Sequence, residues 1–381
     1  MSDSLEMSDR VALIRAFLAA NGFADWTREP MSGDASTRAY ERLRGPDGAT
    51  LVLMDAPPAA ETRPAPPTAT PDERKALGYN ALARLAAGRT DAFAAVAAYL
   101  RSLGLSAPEV MALDVENGIA VIEDLGDGLF ARLVEQGADP IPLYEVAVDL
   151  QAALHNRPPP GVLAYDDPRT GEGRWPLLPY DDLALRTYTE LFLEWWPRYA
   201  GLAPLPPEAM QSWEALCAPI RARADAQATV FAHRDFHAEN LLWLPERKGL
   251  ARVGLLDFQD AVRAHPAWDL LHLLQDARRD VAPELEAAML ERYLAARPET
   301  DREAFLADYR ALATLNAARI LGPIFARQVV AFGKTRYVAF MPRTWAYLER
   351  NLEHPHLAQL KRWFDHWIPA ETRPRLASEP R

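Results

Sequence analysis

The sequence predicts an α+β chain in two lobes sharing a cleft: a small N-terminal lobe on antiparallel strands and a larger, mainly helical C-terminal lobe. Three observations carry this. Strand-like segments with hairpin turns, at Gly45-Pro46-Asp47-Gly48 and Asn117-Gly118, dominate the residues before 124. From Leu129 onward apolar residues recur mostly at helical spacing. A chain of 381 residues, 49% hydrophobic and 25% charged, is globular and long enough for two lobes. The expected division is 1–123, a joint at 124–128, and 129–381.

The elements follow in order. Residues 8–20 begin at a Ser-Asp cap, place Val11, Ile14, Phe17 and Leu18 on one face and stop at Asn21-Gly22, which predicts an amphipathic helix. A small polar loop from Met31 then runs into an alternating segment and, past the turn at Gly45, the apolar strand Leu51–Met54. Residues 56–71 hold six prolines and no hydrophobic period, which predicts an exposed loop. The segment 72–88 after it has helical composition, so that 56–90 reads as an insertion without a legible role. Asp91–Leu103 places Phe93, Val96, Ala97 and Leu100 at core spacing, and strands Glu109–Val115 and Ile119–Glu123 follow. Helices are expected up to His155, over 181–201 and over Met210–Ala226. Short strands at Thr229–Ala232, Leu241–Leu244 and Arg252–Leu256 precede helices from Pro266, over 282–296, 300–331 and 340–367.

Composition excludes several classes. A net charge of −11 argues against a nucleic-acid or anionic-membrane binder, which needs a basic face. One cysteine, Cys217, rules out an internal disulfide and fits a reducing compartment, most simply the cytoplasm. The N-terminus lacks a secretory signature, and no run of about 18 apolar residues exists.

The chemistry concentrates in HRDFHAEN, His233 to Asn240, and LLDFQD, Leu255 to Asp260. Phosphoryl transfer needs an aimed hydroxyl and a held Mg2+ more than covalent help from the protein. Asp235 suits the first task as a carboxylate that orients a substrate hydroxyl and takes its proton. Asn240 and Asp257 suit the second as hard oxygen ligands of Mg2+. His233 reads as a packed loop anchor, and His237 as a loop brace with a chance of touching substrate.

On these motifs the chain resembles the aminoglycoside phosphotransferase and choline kinase superfamily, which is similar in fold to the protein kinases. The resemblance runs from about residue 10 to about residue 367. Within it, DASTRAYERL (34–43), LVLMDAPP (51–58), EDLGD (123–127), ELFLEWW (190–196) and RILGPIFARQ (319–328) look most like bacterial kinases of N-acetylmuramate and N-acetylglucosamine that act at the anomeric hydroxyl. The resemblance implies a protein-kinase-like fold, ATP and Mg2+ as co-substrate and cofactor, and an amino sugar as acceptor. It implies that Ser32, Gly33, Ser36, Thr37 and Arg38 cup the phosphates, and that the backbone of Glu123, Asp124 and Leu125 meets adenine. Glu190, Glu194, Trp196 and His237 are the implied sugar contacts, and His233 and Asp269 the supporting residues. The position of the usual phosphate-binding Lys is Met54, and its Glu partner is missing from 91–103 too; Arg38 is the candidate replacement. Aminoglycoside, choline or homoserine phosphorylation and a nucleotide-binding pseudokinase are the competing readings, and oligomeric state is left open.

Overall fold

A computed structural model describes residues 2–31, 38–58, 64–86 and 88–375. The chain runs α1 (Ser2–Ala20), β1 (Thr27–Pro30), β2 (Ala39–Arg44), β3 (Thr50–Asp55), α2 (Pro71–Leu77), α3 (Tyr79–Leu82), α4 (Thr90–Ser102), β4 (Val110–Asp114) and β5 (Ile119–Glu123). It continues through α5 (Phe130–Glu135), α6 (Pro140–His155), the hairpin β6 (Val162–Tyr165) and β7 (Gly173–Pro176), α7 (Asp182–Ala200) and α8 (Pro207–Ala226). Short strands β8 (Val230–Ala232), β9 (Leu241–Trp243), β10 (Val253–Leu255) and β11 (Val262–Ala264) lead into α9 (Trp268–Leu274), α10 (Pro283–Ala295) and α11 (Arg302–Arg319). A π-helical turn (Ile320–Ala326), α12 (Arg327–Phe332), α13 (Met341–Leu352) and α14 (Ala358–Trp367) complete it.

The five-stranded sheet, in the order β1-β2-β3-β5-β4, is antiparallel throughout, as the α+β expectation requires. Both of its faces are covered, which explains why β5 reads Ile-Ala-Val-Ile instead of alternating apolar and polar. Ile119 and Val121 pack with Leu43 and Leu53 against Ile14, Phe17 and Leu18 of α1. Ala120 and Ile122 face the other way, with Val52 and Met54, toward Phe93, Val96 and Leu100 of α4. Burying each of the larger side chains contributes about 1.5–3 kcal/mol. Met54 is 1% exposed, so the position expected to carry a lysine is instead part of this apolar layer.

The strands β1 and β11 are additions to the expected set, and three further stretches differ from expectation. The segment after residue 71 forms two short helices, capped by the reciprocal Thr70 and Glu73 bonds and broken at Gly78, whose φ of 97° an L side chain rarely adopts. The hairpin β6–β7 was not anticipated; Pro- and Gly-rich flanks hide its four-residue strands. The long helix over 300–331 is interrupted by the π-helical turn, because Pro323 removes one rung of the N–H ladder.

Candidate active site

The loop 233–240 bridges β8 and β9, and each flank is tied down by a partner strand, β11 for β8 and β10 for β9. Within it Arg234 takes φ +81°, a conformation that costs a non-glycine residue about 1–3 kcal/mol and persists only where its surroundings impose it. Here they do. The backbone N–H groups of His233 and Arg234 both donate to the Asp269 carboxylate, at 2.6 and 2.9 Å, and Gln151 Nε2 donates to it at 3.3 Å. The buried Arg234 guanidinium donates to the carbonyls of Ala83 and Arg84 at 2.7 and 2.8 Å and lies over the Tyr180 ring. The 56–90 insertion, unreadable in sequence, is thereby pinned to this loop; Arg74 and Arg84 also bind Asp181 at the start of α7. Burial pushes the Asp269 carboxyl up to about 7, with the two N–H bonds offsetting it only in part. The His233 ring packs edge-on against Phe236 and Phe258, and burial lowers its pKa to about 4, so it is a neutral packed group at pH 7.

Asp235 opens into a cleft lined by His237, His272, Arg278, Asn316, Arg319, Phe325 and neighbouring residues. Arg319 Nη2 stands 3.9 Å from Asp235 Oδ1 and is itself held by Asn316 and stacked over Tyr188. Burial raises the Asp235 pKa, but the nearby cations, Arg319 foremost, outweigh it and hold the carboxyl at about 2. Asp235 is thus ionised at any working pH and a weak base, fitted to orienting a hydroxyl and accepting its proton late.

Asn240 and Asp257 are brought side by side by the β9–β10 hairpin, where the Leu256 N–H donates to the Asn240 carbonyl at 3.0 Å. Asn240 Nδ2 donates to the Asp235 carbonyl at 2.9 Å, which leaves the carboxamide oxygen as a hard ligand. Asp257, at φ +60°, is, like Arg84 at +57°, a further strained non-glycine residue here, and Arg38 Nη2 donates to its Oδ1 at 2.6 Å. Among the described residues no three His, Cys, Asp or Glu side chains gather as a metal centre. One carboxylate and one carboxamide are the small oxygen set that suits Mg2+ shared with phosphates and water, and do not suit zinc.

The other expected positions are placed as follows. Ser32, Gly33, Ser36 and Thr37 lie outside the described residues. Glu123 pairs with Arg247 and Arg101, Asp124 pairs with Arg42 of β2, and Leu125 packs against Leu242 and Leu244. His237 does line the cleft. Trp196 is corrected: it is 0% exposed, stacked on Phe192 and met edge-on by Trp345 in the core under α7, and cannot reach a substrate. Glu190 and Glu194 pair along the outside of α7 with Arg186 and Arg198 and do not line the cleft. The residues the sequence reading missed are Arg319, Arg278, His272 and Asn316. The signal for Arg319 was present as a Gly-Pro pair, Gly322-Pro323, inside a helical run. A Cβ at Gly322 would sit 2.5 Å from Phe192 Cα, so only glycine lets the π-helical turn press against α7 and swing Arg319 toward Asp235.

Over 367 residues the chain is 60% identical to an N-acetylmuramate/N-acetylglucosamine kinase of Caulobacter vibrioides, covering 96% of this chain and 99% of that one. An N-acetylmuramate/N-acetylglucosamine kinase of Pseudomonas aeruginosa is 31% identical over 87% of this chain and 86% of its own length. The fold is shared with the GDP complex of an aminoglycoside 2'-phosphotransferase-IIIa mutant, at a TM-score of 0.51 and 11% identity, over 92% of this chain and 99% of that one. The model of the phosphotransferase enzyme family matches residues 27–306, and the chain belongs to that family.

Proposed function

We propose that this protein transfers the γ-phosphoryl group of ATP to the anomeric hydroxyl of N-acetylmuramate and N-acetylglucosamine. The observation that carries the reading is one loop that sets Asp235 in the cleft wall and ties Asn240 to the Asp235 carbonyl, with Asp257 following the strand paired to the end of that loop. Nucleotide is expected between the strand-built residues 1–123 and the helical residues 129–381, against the joint at 124–128. Asn240 and Asp257 would hold Mg2+, which supplies charge neutralisation on the β- and γ-phosphates. Arg38, paired with Asp257, would turn to a phosphate and stand in for the absent lysine. Asp235 orients the sugar hydroxyl for in-line attack and takes its proton late; the anomeric hydroxyl, more acidic than an ordinary alcohol, suits so weak a base. The acceptor specificity rests on the relatives from Caulobacter and Pseudomonas and on the cleft itself, where Arg278 and Arg319 oppose a polycationic aminoglycoside. A cytoplasmic site of action fits the need for ATP and the free, buried Cys217. The test is ATP turnover with Mg2+ and each candidate acceptor, with phosphorus NMR of the product. A sugar 1-phosphate is the expected product; a phosphate on a non-anomeric hydroxyl, or turnover with aminoglycosides alone, overturns the assignment.

A further inference from the structure

The cleft beside Asp235 holds two arginines, and only one of them is accounted for. Arg319 is spent on Asp235, Asn316 and the Tyr188 ring. Arg278, in the loop after α9, is half-buried in the cleft wall and makes no ion pair among the described residues. Its neighbours make the contrast plain. Arg279 is bound to Glu135 and Glu239, and Arg343 to Asp280. Asp276, which lies two residues from Arg278 as Asp280 does and shares the cleft wall, accepts at Oδ1 from the Arg278 backbone N–H at 2.8 Å, and its Oδ2 lies 3.9 Å from Arg279 Nε. An unpaired arginine on an open, solvated face is ordinary. One set in the wall of the cleft that holds Asp235, in a chain of net charge −11, is a cation kept for an incoming anion.

We propose that Arg278 recognises the carboxylate of the acceptor, so that the cleft is built for an anionic amino sugar and takes its neutral counterpart second. This rests on the sugar-kinase reading above and deepens it. N-acetylmuramate differs from N-acetylglucosamine by a lactyl ether that carries one carboxylate, and a guanidinium presents a planar fork that matches a carboxylate with two parallel hydrogen bonds. With the reacting hydroxyl at Asp235, Ala277, Ile320, Ile324 and Phe325 supply apolar wall for the ring.

The test compares kcat/KM for the two sugars in the wild-type protein, in Arg278→Ala and in Arg278→Lys. The ratio of N-acetylmuramate to N-acetylglucosamine is expected to fall about ten- to a hundredfold in Arg278→Ala, the worth of a hydrogen bond to a charged group, and less in Arg278→Lys. Because the readout is a ratio, partial loss of folded protein cancels. The wild-type protein given the methyl ester of N-acetylmuramate supplies a second arm that needs no variant, and it is expected to lose the preference to a similar degree. A ratio unchanged in Arg278→Ala, or an ester used as well as the acid, overturns the assignment of Arg278 alone. A wild-type protein that phosphorylates neither sugar overturns the sugar-kinase reading, and this inference with it.

Discussion

Replacing Arg319 by Met removes the cation nearest to Asp235 while keeping an unbranched side chain in place. At 3.9 Å, two unit charges interact by about 4 kcal/mol at an effective dielectric of about 20 and by about 1 kcal/mol in water. The Asp235 side chain is 30% exposed and that of Arg319 10%, so the real value lies between these limits, and one pH unit corresponds to about 1.4 kcal/mol. The Asp235 carboxyl, held at about 2, should therefore rise by about one to two pH units, since the burial that opposes ionisation is left less opposed. Asp235 acts when ionised, so activity is lost as pH falls through its pKa, and the acid limb must move upward in the variant. The assay is the pH profile of kcat/KM from pH 3.5 to 8 for both proteins with the same nucleotide, so that protonation of the triphosphate cancels in the comparison. An acid limb that stays where it is in the wild type would refute the account of Arg319 as the group that sets the charge on Asp235, however much activity the substitution costs.

Three further outcomes are expected. Asp235→Asn should lower kcat by about 10²- to 10⁴-fold with nucleotide affinity retained, whereas Asp257→Ala should abolish Mg2+-dependent nucleotide binding measured by calorimetry; full turnover in either variant contradicts its role. Asp269→Asn keeps one acceptor oxygen where two N–H groups need both, and should destabilise the fold by about 1–3 kcal/mol in urea titrations. The folded-state pKa of about 7 lies above the ordinary aspartate value of 3.8, so the folded wild type binds the extra proton and loses stability as pH rises from about 4 to about 7. That slope should vanish in the Asn variant. Gly322→Ala drives a Cβ into the α7 backbone at Phe192 and should cost about 1–3 kcal/mol of stability, read as a lowered Tm, together with activity through the displaced Arg319.

Much of the fold was legible because it depends on local pattern. The sheet strands from Ala39 to Glu123 follow hairpin turns and apolar runs, and α4 follows the 3.6-residue spacing of Phe93, Val96 and Leu100. The aromatic run in α7 misled for a physical reason. A stripe of Trp and Phe states that a helix face is apolar but not whether it meets a ligand or a core, and the packing of Phe192, Trp196, Trp213 and Trp345 assigns it to the core. The insertion at 56–90 carried no periodicity from which its docking on Arg234 could be read, since those bonds go to carbonyl groups, which every residue possesses.

The sequence by itself determined the chemistry on offer: a carboxylate, a carboxamide and a second carboxylate at spacings that a loop and a hairpin can bring together, with no lysine at residue 54. Tertiary structure decided which other side chains join them. Arg319 lies 84 residues beyond Asp235, and reaches it only through a π-helical turn pressed onto α7 at a glycine. Among the described residues Arg278, in the same wall, makes no ion pair: Asp276 accepts from its backbone N–H, and Glu135 and Glu239 are bound to Arg279. Charge compensation acts through space over a few ångströms, so the identity of the neighbours, and with it the basicity of Asp235 and the sign of the acceptor, is fixed only when the chain has folded.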